Sequence, residues 1–471
     1  MNGLVLRDVE VDGRRLDVTV VDGVIAQVGP PSPHPRSRSP RVAEDVDGAG
    51  GALLPGLHDH HLHLFAMASA AASIDCSPAA IADLDGLAAA LRGASTANEW
   101  IRAVGYHESI AGDLDRHVLD RLVADRPVRV QHRGGALWVL NSAALSRVAA
   151  ALDDSGDVER DAAGAPTGRL WRYDDRLRRA LPYAPPDLAE VGRRLASYGI
   201  TGATDATPDL DETGLRLLGR ATETGAIAQR LTLLGAPLHA DAAGYRAGDR
   251  IAVGPYKLHL RDHELPEFDD LVARIATAHA AGRPVAVHCV TRVSLLLTLA
   301  ALAQAGPVEG DRIEHGSVVP PEARTQLGAL GVRVVTQPDF LRSRGDAYLR
   351  DVDTDDVPLL YPYASLLAAG VATCAASDAP YGSADPWQVI ASATTRRTAA
   401  GVVIGGDERV DASTALAGYL SAPDDPAGAP RRIQPGSPAD LVLLDGPLAE
   451  ALSDPSTERV RAVWIGGRRA A

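Results

Sequence analysis

ALLPGLHDHHLHL (52–64) is the stretch on which the fold turns. It begins apolar and ends in polar groups set two apart, Asp59, His61 and His63. Side chains of an extended strand alternate faces, so these three point one way while His60 and Leu62 point the other. Two imidazoles on one strand face can present neutral nitrogens to a single metal ion. Polar groups of this kind at the carboxyl end of a strand are expected where barrel active sites are built from the loops that follow.

Downstream, apolar strands alternate with helical patterns, the arrangement of βα units around a parallel sheet. Strands are expected at RPVRVQHR (126–133), GITGATDAT (199–207), QRLTLLGAP (229–237), GPYKLHL (254–260), RPVAVHC (283–289), DRIEHG (311–316), VRVVTQP (332–338) and VATCAASDAP (371–380). Among the intervening helices, LPEFDDLVARIATAHAAG (265–282) repeats apolar residues at helical spacing and stops at Gly282. With the opening strand this is one strand more than a (β/α)8 TIM-type barrel needs. The stretch from about residue 65 to 186 is too long for one crossover, so RPVRVQHR is assigned to a long insertion after strand one, and GITGATDAT becomes barrel strand two.

The two ends of the chain read alike. Residues 3–29 form short strands with turns at Asp12-Gly13 and Asp22-Gly23, followed by the Pro/Ser/Arg-rich loop PSPHPRSRSP (31–40). ADLVLLDG (439–446) and RVRAVWIGGRR (459–469) are strands at the other end. The expected organisation is therefore a small β-sandwich assembled from residues 1–52 and 421–471, around an α/β barrel over 53–420 that carries the insertion.

Composition bounds the function. The chain of 471 residues holds 47 basic and 61 acidic side chains, a net charge of −14, against the basic face that a nucleic-acid binder needs. Three widely spaced cysteines, Cys76, Cys289 and Cys374, support neither a disulfide framework nor a cysteine-rich zinc site. The start of the chain lacks a signal-peptide pattern and no apolar run is long enough for a bilayer, so the expectation is a cytoplasmic protein acting on a small molecule, without membrane or nucleic acid. Of the 47 basic residues, Lys257 is the only lysine.

Further ligand types end the later strands: Lys257 on strand four, His288 on five, His315 on six and Asp378 on eight. A single histidine at a strand end is usually structural. An ordered series of such residues, together with His61 and His63, is a specific arrangement of metal-ligand types.

These motifs resemble those of the amidohydrolase superfamily, in the amidohydrolase 3 or YtcJ-like group that includes N-substituted formamide deformylase. The resemblance is carried by LLPGLHDHHLH (53–63), GITGATD (199–205), YKLHL (256–260), VAVH (285–288), RIEHG (312–316), SDAPYGSADPW (377–387) and PGSPADLVLLD (435–445), with WVLNSAAL (138–145) and PTGRLWR (166–172) in the insertion. It covers nearly the whole chain. It implies that His61, His63 and Asp378 bind one divalent metal, that His288 and His315 bind a second, and that Lys257 is carboxylated and bridges the two. Arginine, always protonated, could not take that role. Zn2+ is the expected ion, one or two per chain, with Fe, Mn or Ni as alternatives.

The implied activity is hydrolysis of a carbon–nitrogen bond other than a peptide bond, in an amide or an N-formyl or N-acyl amine, by metal-activated water, with Asp378 as general base and then general acid. Deamination of a cyclic amidine on the same barrel is the alternative, followed by a non-catalytic relative. The resemblance implies a homodimer. The sequence departs from the group's pattern at HCVTR (288–292) and at Arg261, both on the rim facing substrate. Arg292, Gln337 and Asp205 are set down as substrate-binding positions, Gln337 and Asp205 because they too end strands.

Overall fold

The computed structural model describes residues 3–31, 42–78, 80–95, 99–181, 187–239 and 250–471, so most of the Pro/Ser/Arg-rich loop lies outside the described residues. The chain divides into two compact units, Met1–Leu64 with Leu188–Ala471, and Phe65–Asp187. The fold is mixed α/β.

The opening stretch folds as two strands rather than one. Leu53–Pro55 joins an antiparallel sheet formed with the carboxyl-terminal strands, and Leu57–Leu62 joins a parallel sheet. The second strand is buried along its whole length, as a strand covered on both faces must be, so its polar residues need partners inside the protein. His58 Nε2 meets Thr204 Oγ1 at 2.9 Å, and His60 Nε2 meets Ser421 Oγ at 2.8 Å.

Parallel pairing then runs from Leu57–Leu62 to Ile200–Asp205, Arg230–Leu233 and Ile251–Val253. A second parallel sheet orders Tyr256–His259, Val285–Cys289, Arg312–His315, Arg333–Thr336 and Thr373–Ala375. The strand expected over 254–260 thus begins earlier, at Ile251, and is broken at Gly254-Pro255, where proline offers no amide to a ladder. Hydrogen bonds cross both gaps between these sheets. Lys257 N donates to Leu234 O at 3.1 Å, and on the other side Asp378 N donates to His61 O at 2.8 Å and His63 N to Ala379 O at 2.9 Å.

The helices between strands form where the sequence caps them. Glu212–Thr224 starts at Asp211, whose carboxylate accepts from Gly214 N, and ends at Gly225 with φ 76°. Phe268–Ala280 carries Asp269 and Asp270 in its first turn and His279 in its last, matching the helix dipole. Its Leu271, Ile275 and Ala278 face a core that also holds Val285, Val287, Leu299 and Ile313. Fully burying each such leucine or isoleucine contributes about 1.5–3 kcal/mol.

The amino-terminal sheet, Gly3–Val11, Arg14–Val21, Val24–Gly29 and Val42–Asp47, turns through Asp12-Gly13 and Asp22-Gly23, all four with positive φ, as two-residue hairpin turns require. It shares one core with the carboxyl-terminal sheet: Leu4, Leu6, Val18 and Ile25 lie in a cluster with Leu53, Leu441, Leu443 and Trp464. Trp464 Nε1 also donates to Glu44 Oε2 at 3.1 Å.

In the second unit, RPVRVQHR supplies Val128–His132 to a six-stranded sheet with its own cores. Trp138 is buried there and donates to Asp174 Oδ1 at 2.8 Å. A cavity of about 270 Å3 in this unit is lined by Tyr106, Glu108, His132, Arg169 and Trp171 among others. No helix of the described residues is long and apolar enough to cross a membrane.

Candidate metal centre

The ligand-type residues lie at or just beyond the ends of parallel strands, except Lys257, which is the second residue of its strand. His61 lies near the end of Leu57–Leu62 and His63 just beyond it, Lys257 is on Tyr256–His259, His288 on Val285–Cys289, and His315 closes Arg312–His315. Asp378 follows Thr373–Ala375. His315 and Asp378 have φ of 72° and 51°, in the left-handed region, at a cost of roughly 1–3 kcal/mol each for residues with a Cβ.

His61, His315 and Asp378 each bring a ligand atom within 4.8 Å of the others, and all three are buried. Asp378 Oδ1 is 3.0 Å from His63 Nε2 and 3.5 Å from His61 Nε2, and Oδ2 is 3.7 Å from His315 Nδ1. The His288 ring lies 4.4 Å from that of His315, centroid to centroid. Lys257 is buried, and its charge acts on His61, His288 and His315.

Burial pushes the imidazoles of His61, His288 and His315 below their ordinary range, which keeps them neutral and able to donate a lone pair. Burial also lowers Lys257, against the opposing pull of Glu314 and Asp378. Burial alone would raise Asp378, but the close imidazoles of His63, His61 and His315 outweigh it and hold the carboxylate far below its usual range. Asp59, enclosed under the site, is pushed up to about 6 by burial, while Oδ1 accepts from His61 N at 3.0 Å.

Three buried nitrogens here, His61 Nε2, His315 Nε2 and Lys257 Nζ, have no hydrogen-bond partner among the described residues. Leaving such atoms desolvated and unmatched costs about 1–3 kcal/mol each. Divalent metal held among these residues would satisfy the ring nitrogens and the Asp378 carboxylate, so the residues present fit a metal centre.

The three positions set down for substrate are placed differently. Gln337 Oε1 accepts from His315 Nδ1 at 2.8 Å, while its amide nitrogen donates to Val335 O at 3.2 Å. Asp205 accepts from Leu64 N at 2.8 Å and from Thr207 N at 3.0 Å, tying together the loops after two neighbouring strands. Arg292 begins the helix after Val285–Cys289 and pairs with Asp356. None of the three is in the His61, His315 and Asp378 cluster.

Sequence reasoning missed Glu314, which is buried with one carboxylate oxygen on His61 Nδ1 and the other on Arg312 Nε. Its one sequence signal is an acid next to a ligand histidine in a short strand that also carries Arg312.

Residues 44–471 match the sequence model described as the amidohydrolase family. N-substituted formamide deformylase of Arthrobacter pascens is 26% identical, over 91% of this chain and 89% of its own length. YtcJ of Bacillus subtilis (strain 168) is also 26% identical, over 84% of this chain and 83% of its own length. In three dimensions, the chain is similar to an uncharacterized metal-dependent hydrolase of Pyrococcus horikoshii OT3, with a TM-score of 0.75, 20% identity, and coverage of 94% of this chain and 97% of the other.

Proposed function

The chain belongs to the amidohydrolase family, and from that membership we propose a metal-dependent hydrolase that cleaves a carbon–nitrogen bond in an N-formyl or N-acyl amine. The observation that carries this reading is the convergence of His61, His315 and Asp378, with His61 Nε2 and His315 Nε2 buried and unmatched. We take the parallel strands, hydrogen-bonded across both gaps, as a closed (β/α)8 barrel, and the two terminal sheets as a β-sandwich.

In this reading His61, His63 and Asp378 hold one divalent ion, Zn2+ by ligand type, and His288 and His315 hold a second. When bound, the ions supply Lewis-acid polarisation of the substrate carbonyl and a water acidified to act near neutral pH. Lys257 would be carboxylated: burial favours loss of its ammonium proton, the deprotonated amine would add to CO2 with release of a second proton, and the resulting anionic carbamate would be a further ligand for the ions. Asp378 takes a proton from the attacking water and returns it to the leaving nitrogen as the C–N bond breaks, giving a carboxylic acid and an amine. Glu314 and Gln337 hold two of the rings, Asp205 holds the adjoining loops, and Arg292 remains at the rim as the position for substrate contact.

The test is metal analysis of the purified protein with and without bicarbonate, followed by hydrolysis assays on a panel of N-formyl and N-acyl amines. Bound metal with release of amine and acid is expected. A metal-free, inert protein would sink the proposal, and ammonia release from cyclic amidines would replace it with deamination.

A further inference from the structure

Two of the inward-facing histidines are held from behind by groups of different charge. His61 turns Nδ1 to the carboxylate of Glu314, whose other oxygen accepts from Arg312 Nε, and Arg312 in turn donates to His60 O at 3.1 Å. His315 turns Nδ1 to the neutral amide oxygen of Gln337, and the bond from Gln337 Nε2 to Val335 O fixes which end of that amide faces the ring. Both acceptors place the proton on Nδ1 and leave the lone pair on Nε2, the atom that lacks a partner in each ring; Asp378 Oδ2 lies farther from His315 Nδ1, at 3.7 Å, than the Gln337 oxygen does. The supports differ in strength, however. A carboxylate behind an imidazole raises its basicity as a ligand, and a neutral amide does so far less.

We propose that the two metal positions are unequal, the one held by His61 loading first and more tightly, with Glu314 as the positioning residue that sets the difference. This rests on the two-ion reading above. Arg312 belongs to the device, because it anchors the second oxygen of Glu314 and so fixes the direction of the first.

The test is a titration of metal-free protein with Co2+ in bicarbonate, read by chelator competition for affinity and by the visible absorption of bound Co2+ for ligand geometry. The wild type is expected to fill in two steps. Glu314→Gln should weaken the tighter step about 10- to 100-fold and leave the weaker step within about twofold. Gln337→Leu should do the reverse, a crossed pattern that general loss of structure would not produce. If Glu314→Gln does not fold, Glu314→Asp keeps a charge for Arg312 while withdrawing the oxygen from His61, and should weaken the same step. Equal affinities in the wild type, or a Glu314 variant that leaves the tighter step unchanged, would overturn the proposal. Failure of the wild type to bind Co2+ at all would instead overturn the metal-dependent reading on which it stands.

Discussion

The amide of Asp378 donates to the carbonyl of His61 at 2.8 Å, so a single backbone hydrogen bond fixes the acid of the last parallel strand against the first strand's imidazole. Their side chains face each other across 3.5 Å, Oδ1 to Nε2. The register of these two strands is therefore also the geometry of the site.

Asp378→Asn keeps the shape and the amide bond but removes the acceptor for a proton. The turnover rate on an N-formyl amine should fall at least about 100-fold with little change in far-ultraviolet circular dichroism. Turnover within a few-fold of the wild type would remove Asp378 from the proton path.

Lys257→Arg tests carboxylation. The variant should hold less metal than the wild type by elemental analysis, and bicarbonate, which should raise metal content in the wild type, should have no effect on it. Full metal content and full activity in the variant would rule out a bridging carbamate.

Chelation should destabilise the fold, because an ion bound only by the native state contributes RT ln(1 + [L]/Kd), about 4 kcal/mol at a thousandfold excess over Kd. Thermal melts with and without chelator should differ by several degrees, and readdition of Zn2+ should restore the higher value. Coincident melts would argue against an ion at this site.

Gly202→Ala should destabilise by about 1–3 kcal/mol through overpacking. A Cβ at Gly202 would lie 2.4 Å from His58 Nδ1, and that ring is held by Thr204. Urea unfolding measures it; an unchanged midpoint would mean that the His58 ring gives way freely.

Cys76, Cys289 and Cys374 are buried, and burial pushes each thiol up to about 12. A raised value keeps the thiol protonated throughout the neutral range, so thiolate reagents should label none of the three at pH 8 in the native state and all three in denaturant. Rapid native labelling would reveal an opening motion or a reactive thiol.

Much of this architecture is legible in the sequence because parallel strands and their ends have strong local signatures. Val285–Cys289 is an apolar run with a histidine near its end, while Leu57–Leu62 and Arg312–His315 crowd polar, ligand-type residues into buried strands. The break at Gly254-Pro255 has a local signal in the proline, but the change of neighbouring strand that goes with it does not. Partners distant in sequence were also illegible. Alternation sets His60 apart from His61, but the partners that satisfy His58 and His60, Thr204 and Ser421, lie far along the chain. Glu314 escaped for the same reason, because the imidazole it holds lies 253 residues earlier.

The antiparallel pairing of Leu53 with Leu443 has a consequence for biosynthesis. A ribosome adding roughly 5–20 residues per second needs on the order of 20–80 s to travel between those two positions. Throughout that interval the amino-terminal strands are outside the exit tunnel with an apolar face uncovered. A chaperone that shields this face during translation, or a tendency of truncated chains to aggregate, is what such a delay demands. Ribosome-bound fragments ending before residue 441 should be protease-sensitive in their first 55 residues, and full-length chains should not.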